Sequence, residues 1–128
     1  MVLADTSVII AFLRTADPKL LGILKQEGAI VCGITRAEVL CGVRNPADFT
    51  HFMSALNALP QAPIPDALWD AIGLNLATLR RAGLTMSLAD VTIASMAVHL
   101  GVELWARDQH YKLMQTVLPS LRLFQEPP

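Results

Sequence analysis

The sequence predicts an α/β domain, a three-layer sandwich whose mainly parallel central sheet is flanked by helices. Two observations carry this. Short apolar runs alternate with longer segments of helical periodicity, and cap and stop residues punctuate the boundaries at regular intervals. A chain of 128 residues, 53% hydrophobic and 16% charged, is also long and apolar enough for one real core and too apolar for disorder. With no internal repeat, linker or low-complexity stretch, residues 1–128 are expected to form a single domain.

The elements follow in order. Met1 to Ala4 is an apolar run read as the first strand, and Thr6 to Arg14 is helical. Asp17-Pro18 has the form of an N-cap followed by proline at the first helical position, with Leu20, Leu21 and Leu24 on one face and Gly28 as the stop. Ala29 to Cys32 is a second strand. Thr35 and Glu38 have capping-box spacing and predict a helix start. Asn45-Pro46 opens another helix that runs to Pro60. Gln61 to Ile64 reads as a strand that Pro63 confines to an edge. Asp66 to Arg81 is the clearest helix, since Trp69, Ile72, Leu76 and Leu79 recur at helical spacing and Gly83 follows. Ser87 starts a helix that Gly101 ends. Val102 to Ala106 is a strand, Asp108 to Met114 a short helix, and Leu121 to Leu123 a last strand.

Composition narrows the function. A formal net charge of −1 argues against binding nucleic acid by bulk charge. If four acids sit together in one pocket, however, the remaining surface is mildly basic. Cys32 and Cys41 lack metal-type spacing and predict two buried thiols in a reducing compartment. No basic segment precedes the apolar run Val8 to Leu13, so no signal peptide is expected. Leu88 to Trp105 carries Asp90, His99 and Glu103, so it is not a membrane span. A cytoplasmic protein follows. The high apolar share suggests a surface covered by another chain.

The acidic residues fall in a pattern. Asp5 directly follows the first strand, Glu38 comes early in the helix after the second, and Asp108 directly follows Val102 to Ala106. Asp90 lies in the first turn of the helix that leads into that strand. In parallel α/β sheets, sites form beyond the carboxyl ends of strands. Each acid taken singly is also explained as a helix cap. Capping gives no reason, though, for several caps to gather at one sheet edge. A divalent ion gives that reason. Like charges 4 Å apart repel by about 4 kcal/mol at an effective dielectric of 20, and Mg²⁺ or Mn²⁺ prefers carboxylate oxygens. Such an ion neutralises a phosphate oxygen and acidifies a bound water.

Competing chemistry is missing. The glycines show no Walker or dinucleotide spacing, there is no G-x-S-x-G elbow, and the three histidines lack the spacing of a zinc helix. His51 and His99 read as packing or surface residues. His110 reads the same way, although its position two residues after Asp108 brings it within reach of the site.

Four segments then resemble the PIN-domain nucleases, most closely the VapC-like toxins of type II toxin–antitoxin modules. They are Val2-Leu-Ala-Asp-Thr-Ser-Val8, Ile34-Thr-Arg-Ala-Glu-Val-Leu-Cys-Gly42, Leu88-Ala-Asp-Val-Thr-Ile-Ala94 and Trp105-Ala-Arg-Asp-Gln-His-Tyr111. Their order and separation match the family along nearly the whole chain. The resemblance implies a PIN-like fold and an endoribonuclease that cleaves RNA phosphodiesters with Mg²⁺ or Mn²⁺ through a metal-activated water. It implies Asp5 and Asp90 as principal metal ligands, Glu38 and Asp108 completing the catalytic pocket, and Thr6 ordering that corner. It also implies a homodimer, and an antitoxin peptide laid over the groove, with DNA contacted only through that antitoxin. Ala106 departs from the hydroxyl residue the family often has two positions before the fourth acid. Arg36 and Arg107, each near a site acid, are the candidate RNA-phosphate contacts. Arg80 and Arg81 read better as a solvated helix end.

Three alternatives stand beside this reading. One is a PIN-like RNA-processing nuclease that is not a toxin. Another is a catalytically silent protein-binding domain, which loss of an acid would signal; all four are present. The last, a phosphoacceptor domain, needs paired acids after the first strand and a late lysine, and no lysine lies between Lys25 and Lys112.

Overall fold

The computed structural model describes residues 1–128. The elements run β1 (Val2–Ala4), α1 (Thr6–Thr15), α2 (Pro18–Glu27), β2 (Ala29–Cys32), α3 (Gly33–Cys41), α4 (Pro46–Asn57), β3 (Gln61–Ala62), α5 (Leu68–Arg81), α6 (Leu88–Leu100), β4 (Leu104–Trp105) and α7 (His110–Gln115). The sheet has order β3-β2-β1-β4 and every pairing is parallel. The α/β sandwich expected from the alternation is therefore the fold.

Strand periodicity sorts the core into layers. Leu3 packs with Ile72, Leu79, Ile93 and Met96 of α5 and α6. Its neighbours Val2 and Ala4 point the other way, toward α1 and α2 residues such as Val8, Ile9 and Leu20. Helix α6 is buried continuously from Val91 to Ala97, so its apolar residues cover its whole circumference. This accounts for the apolar stretch that sequence places between Leu88 and Trp105. No helix is long and apolar enough to cross a membrane.

Caps placed the helices well where a side chain does the capping. Asp5, Asp17, Asn45 and Ser87 each accept a backbone N–H at the start of their helices. The Thr35–Glu38 capping box is not formed. Helix α3 starts two residues earlier, at Gly33. Thr35 is fully buried with its hydroxyl against Cys32 Sγ at 3.7 Å, and Glu38 is turned to another partner. Strand β3 sits at the sheet edge, as Pro63 requires, and ends before it. Strand β4 is shorter than expected, and α7 begins only at His110, after a turn in which Asp108 accepts the His110 N–H at 2.9 Å. The last strand reduces to a single parallel bridge between Leu104 and Leu123, held by Leu104 N–H to Arg122 O and Phe124 N–H to Leu104 O, both 2.8 Å. Cys32 is buried as expected. Cys41 is exposed, because α3 ends there at the surface.

From β1 the chain moves outward to β2 and β3, then returns to place β4 on the other side of β1. The crevice beyond the carboxyl ends of β1 and β4 is thus the point where strand order reverses, where open parallel sheets build their sites.

Candidate metal centre

Two backbone ends converge at that crevice. The Asp5 N–H donates to Trp105 O at 2.9 Å, which couples the end of β1 to the end of β4. Asp5 is 3% exposed. One carboxylate oxygen accepts from the Ser7 N–H at 3.1 Å and the Ser7 hydroxyl at 2.6 Å. The other accepts from the Tyr111 hydroxyl at 2.7 Å. Asp5 therefore caps α1 and faces the site at once, so cap and ligand are not exclusive roles. Ser7 Oγ also accepts from the Arg107 N–H at 3.0 Å, which ties the loop after β4 to the start of α1.

Glu38 enters from α3. Its Oε1 accepts from the Thr6 hydroxyl at 2.6 Å, so Thr6 orders this corner by holding Glu38. Asp90 enters from the first turn of α6. Ser87 accepts the Asp90 N–H at 3.1 Å, and the Asp90 carboxylate faces the crevice. There Oδ1 lies 3.4 Å from the Tyr111 hydroxyl and Oδ2 lies 4.0 Å from His110 Nδ1. Asp108, from the turn after β4, has Oδ1 at 3.1 Å from His110 Nδ1.

The electrostatics express the crowding. The Asp90 carboxyl is raised above its ordinary value, first by burial and then by the negative charges of Asp5, Asp108 and Glu38. The other three predicted acids thus all act on Asp90. One ligand atom each from Asp90, Asp108 and His110 lies within 4.8 Å of the other two. Asp5 and Glu38 stand outside that triplet, held by Tyr111 and Thr6. Hard carboxylate oxygens gathered with unrelieved like charge fit a divalent cation.

Sequence reasoning missed Tyr111 and Ser7. Ser7 carried a signal, since a hydroxyl two residues after a capping aspartate can share its carboxylate. Tyr111 carried none, because only the fold shows that this fully buried ring ends its hydroxyl between Asp5 and Asp90. Burial, followed by the charge and hydrogen bond of Asp5, pushes that phenol far above its ordinary value, so it remains a donor. Tyr111→Phe is expected to lower the stability of the metal-free protein by about 1.5–3 kcal/mol, the usual worth of a hydrogen bond to a charged group. Melting with chelator at pH 7 checks this, and an unchanged midpoint would contradict it.

The two arginines are otherwise engaged. Arg36 Nη2 donates to Asn57 Oδ1 at 2.7 Å. Arg107 grips Glu126 with Nε to Oε2 and Nη2 to Oε1, both at 2.9 Å. Glu126 Oε2 also accepts from Trp105 Nε1 at 3.0 Å. The Arg107 hydrogen bonds hold the Glu126 carboxyl at about 2. A carboxyl depressed on folding contributes stability above its unfolded value, lost as pH falls through the folded one. Glu126→Gln is therefore expected to cost about 1 kcal/mol near neutrality, reduced from its nominal worth because the Arg107 side chain is 36% exposed. Wild type and variant should become equally stable as pH falls from about 4.5 to about 2. Acid titration of thermal midpoints tests this.

A family model described as PIN domain matches residues 2–115. Among solved structures, the chain is similar to VapBC2 from Rickettsia felis bound to a DNA fragment from their promoter (TM-score 0.80, 19% identity, 97% of this chain and 98% of that one). It is also similar to FitAcB from Neisseria gonorrhoeae (TM-score 0.77, 18% identity, 98% of both chains). A toxin–antitoxin complex from Klebsiella pneumoniae aligns with TM-score 0.71 and 18% identity over 99% of this chain and 100% of that one. Comparison with curated proteins finds no match.

Proposed function

The chain belongs to the PIN-domain family, and from that premise we propose that it is a metal-dependent endoribonuclease acting as the toxin of a toxin–antitoxin pair. The observation that carries this is the meeting of Asp5, Glu38, Asp90 and Asp108 at the strand-order reversal, with Asp90 raised by burial and by the other three charges.

Asp90 and Asp108, with Asp5 beside them, are the carboxylates that would hold Mg²⁺ or Mn²⁺, and Glu38 completes the pocket. A bound divalent ion supplies a Lewis acid for a phosphate oxygen and a water acidified toward neutrality. The chain's own groups do the rest. Thr6 holds Glu38, and Tyr111 donates to Asp5 with Asp90 beside it. Asp108 is fixed by the hydrogen bond it accepts from the His110 N–H. A carboxylate not engaged by the ion would serve as the proton acceptor. A cleft of about 370 Å³, lined by Asp108, Gln109, Tyr111 and Lys112, adjoins these groups and offers a cation and an amide to a strand of RNA.

The antitoxin is assigned to a second depression of about 490 Å³ between α1, α2 and α4. Nine of its ten lining residues are hydrophobic, among them Ile9, Phe12, Leu13, Leu24 and Leu59. That a similar solved structure is a toxin–antitoxin complex supports a partner of this kind. DNA would be met only through that partner. A homodimer and a cytoplasmic location belong to the same reading, and exposed Trp69 and Leu74 on α5 are apolar residues for a second copy to cover.

The test is incubation of the purified protein with a panel of structured RNAs and Mg²⁺ or Mn²⁺, with and without EDTA. Cleavage that depends on metal supports the nuclease. A folded protein that neither binds metal nor cuts RNA would return the acids to the role of helix caps.

A further inference from the structure

We infer that His110 is itself a ligand of the ion held here, which makes this a mixed nitrogen–oxygen centre that favours Mn²⁺ over Mg²⁺. The inference rests on the metal-dependent reading of the site and adds a residue to it. His110 Nδ1 lies 3.1 Å from Asp108 Oδ1 and 4.0 Å from Asp90 Oδ2, and one atom from each of the three falls within 4.8 Å of the others. Bonds of about 2.1 Å place adjacent ligand atoms about 3 Å apart and opposite ones about 4.2 Å apart. The separations of His110 Nδ1 from the two carboxylates, 3.1 and 4.0 Å, fall within the span of atoms that share one ion.

The fold keeps the ring there from both sides. On one side, Asp108 accepts the His110 backbone N–H at 2.9 Å. On the other, the next residue, Tyr111, is fully buried and anchored on Asp5. The His110 ring is 60% exposed and its only close polar neighbours are the two carboxylates, so packing does not account for its position. Mn²⁺ shares the carboxylate preference of Mg²⁺ but stands at the start of the first-row series whose affinity for nitrogen ligands rises from it, whereas Mg²⁺ holds to carboxylate oxygen and water. A centre built this way discriminates between ions that four carboxylates alone would treat more alike.

The experiment is electron paramagnetic resonance of Mn²⁺ bound to the untagged full chain, with electron spin-echo modulation to detect ligand nitrogen. Mg²⁺ affinity is measured by competition, and His110→Gln is run in parallel. Wild type is expected to show nitrogen modulation, and His110→Gln to lose it. The Mn²⁺ Kd should rise at least about tenfold in the variant, while the Mg²⁺ Kd stays within about twofold. Because the ring is exposed, the variant should melt as wild type does, and circular dichroism confirms that. Mn²⁺ binding without nitrogen modulation, or an unchanged Mn²⁺ Kd in His110→Gln, overturns the inference and leaves His110 as a hydrogen-bond partner of Asp108. No Mn²⁺ binding by wild type, or binding that survives Asp90→Asn, overturns the metal-dependent reading with it.

Discussion

Asp5→Asn is expected to reduce metal-dependent RNA cleavage at least about a thousandfold, equivalent to about 4 kcal/mol of lost transition-state stabilisation. The fold should survive it. Asparagine is as good an N-cap as aspartate, and its side-chain oxygen can still accept from Ser7, as Asp5 does at 3.1 and 2.6 Å. What changes is the charge at the end of β1 that faces Tyr111 and the crevice. Asp5→Ala should lose the same activity and also about 1 kcal/mol of cap. Single-turnover cleavage and thermal melting of both variants separate the two roles. If Asp5→Asn cut RNA within about tenfold of wild type, Asp5 would be a cap and no more.

Asp90→Asn carries the second large effect, and its sign differs with metal. Metal-free, the Asp90 carboxyl is raised on folding by burial and by its three acidic neighbours. A group raised on folding stabilises the protein below its unfolded value, and that contribution is lost as pH rises through the folded value. The metal-free wild type should therefore lose melting temperature as pH climbs from the ordinary carboxylate range toward neutrality. Asp90→Asn, with no charge to repel, should be flatter across that range and melt higher than wild type at pH 7. With Mn²⁺ or Mg²⁺ the order reverses, because wild type gains binding energy on its native state. The variant should bind either ion at least about a hundredfold more weakly and lose cleavage about a thousandfold. Melting curves at several pH values, with EDTA and with metal, give both halves. A metal-free variant no more stable than wild type at pH 7 would mean that the acids do not crowd.

Local chemistry was legible. Asp17-Pro18, Asn45-Pro46 and Ser87 placed their helices because an N-cap uses only its own side chain and the next few amides. Thr35 with Glu38 had the same local form and misled, because both side chains are claimed from elsewhere in the fold. Thr35 is buried against Cys32, and Glu38 is held by Thr6, 32 residues away in sequence. The last strand failed for a related reason. Leu121 to Leu123 has strand-like residues, but only Leu123 meets β4.

The sequence by itself determined the α/β layering, since hydrophobic period and the residues that start and stop helices are properties of neighbouring positions. It did so because burial of alternate apolar side chains and satisfaction of helix ends act over a few residues at a time. Only the tertiary structure decided which groups meet. It brought Tyr111 across 106 residues to Asp5, set His110 against Asp90, and closed Arg107 onto Glu126. Those contacts follow from strand order and from the packing of α6 and α7 beyond β1 and β4, and no local pattern encodes a distance between residues so far apart along the chain.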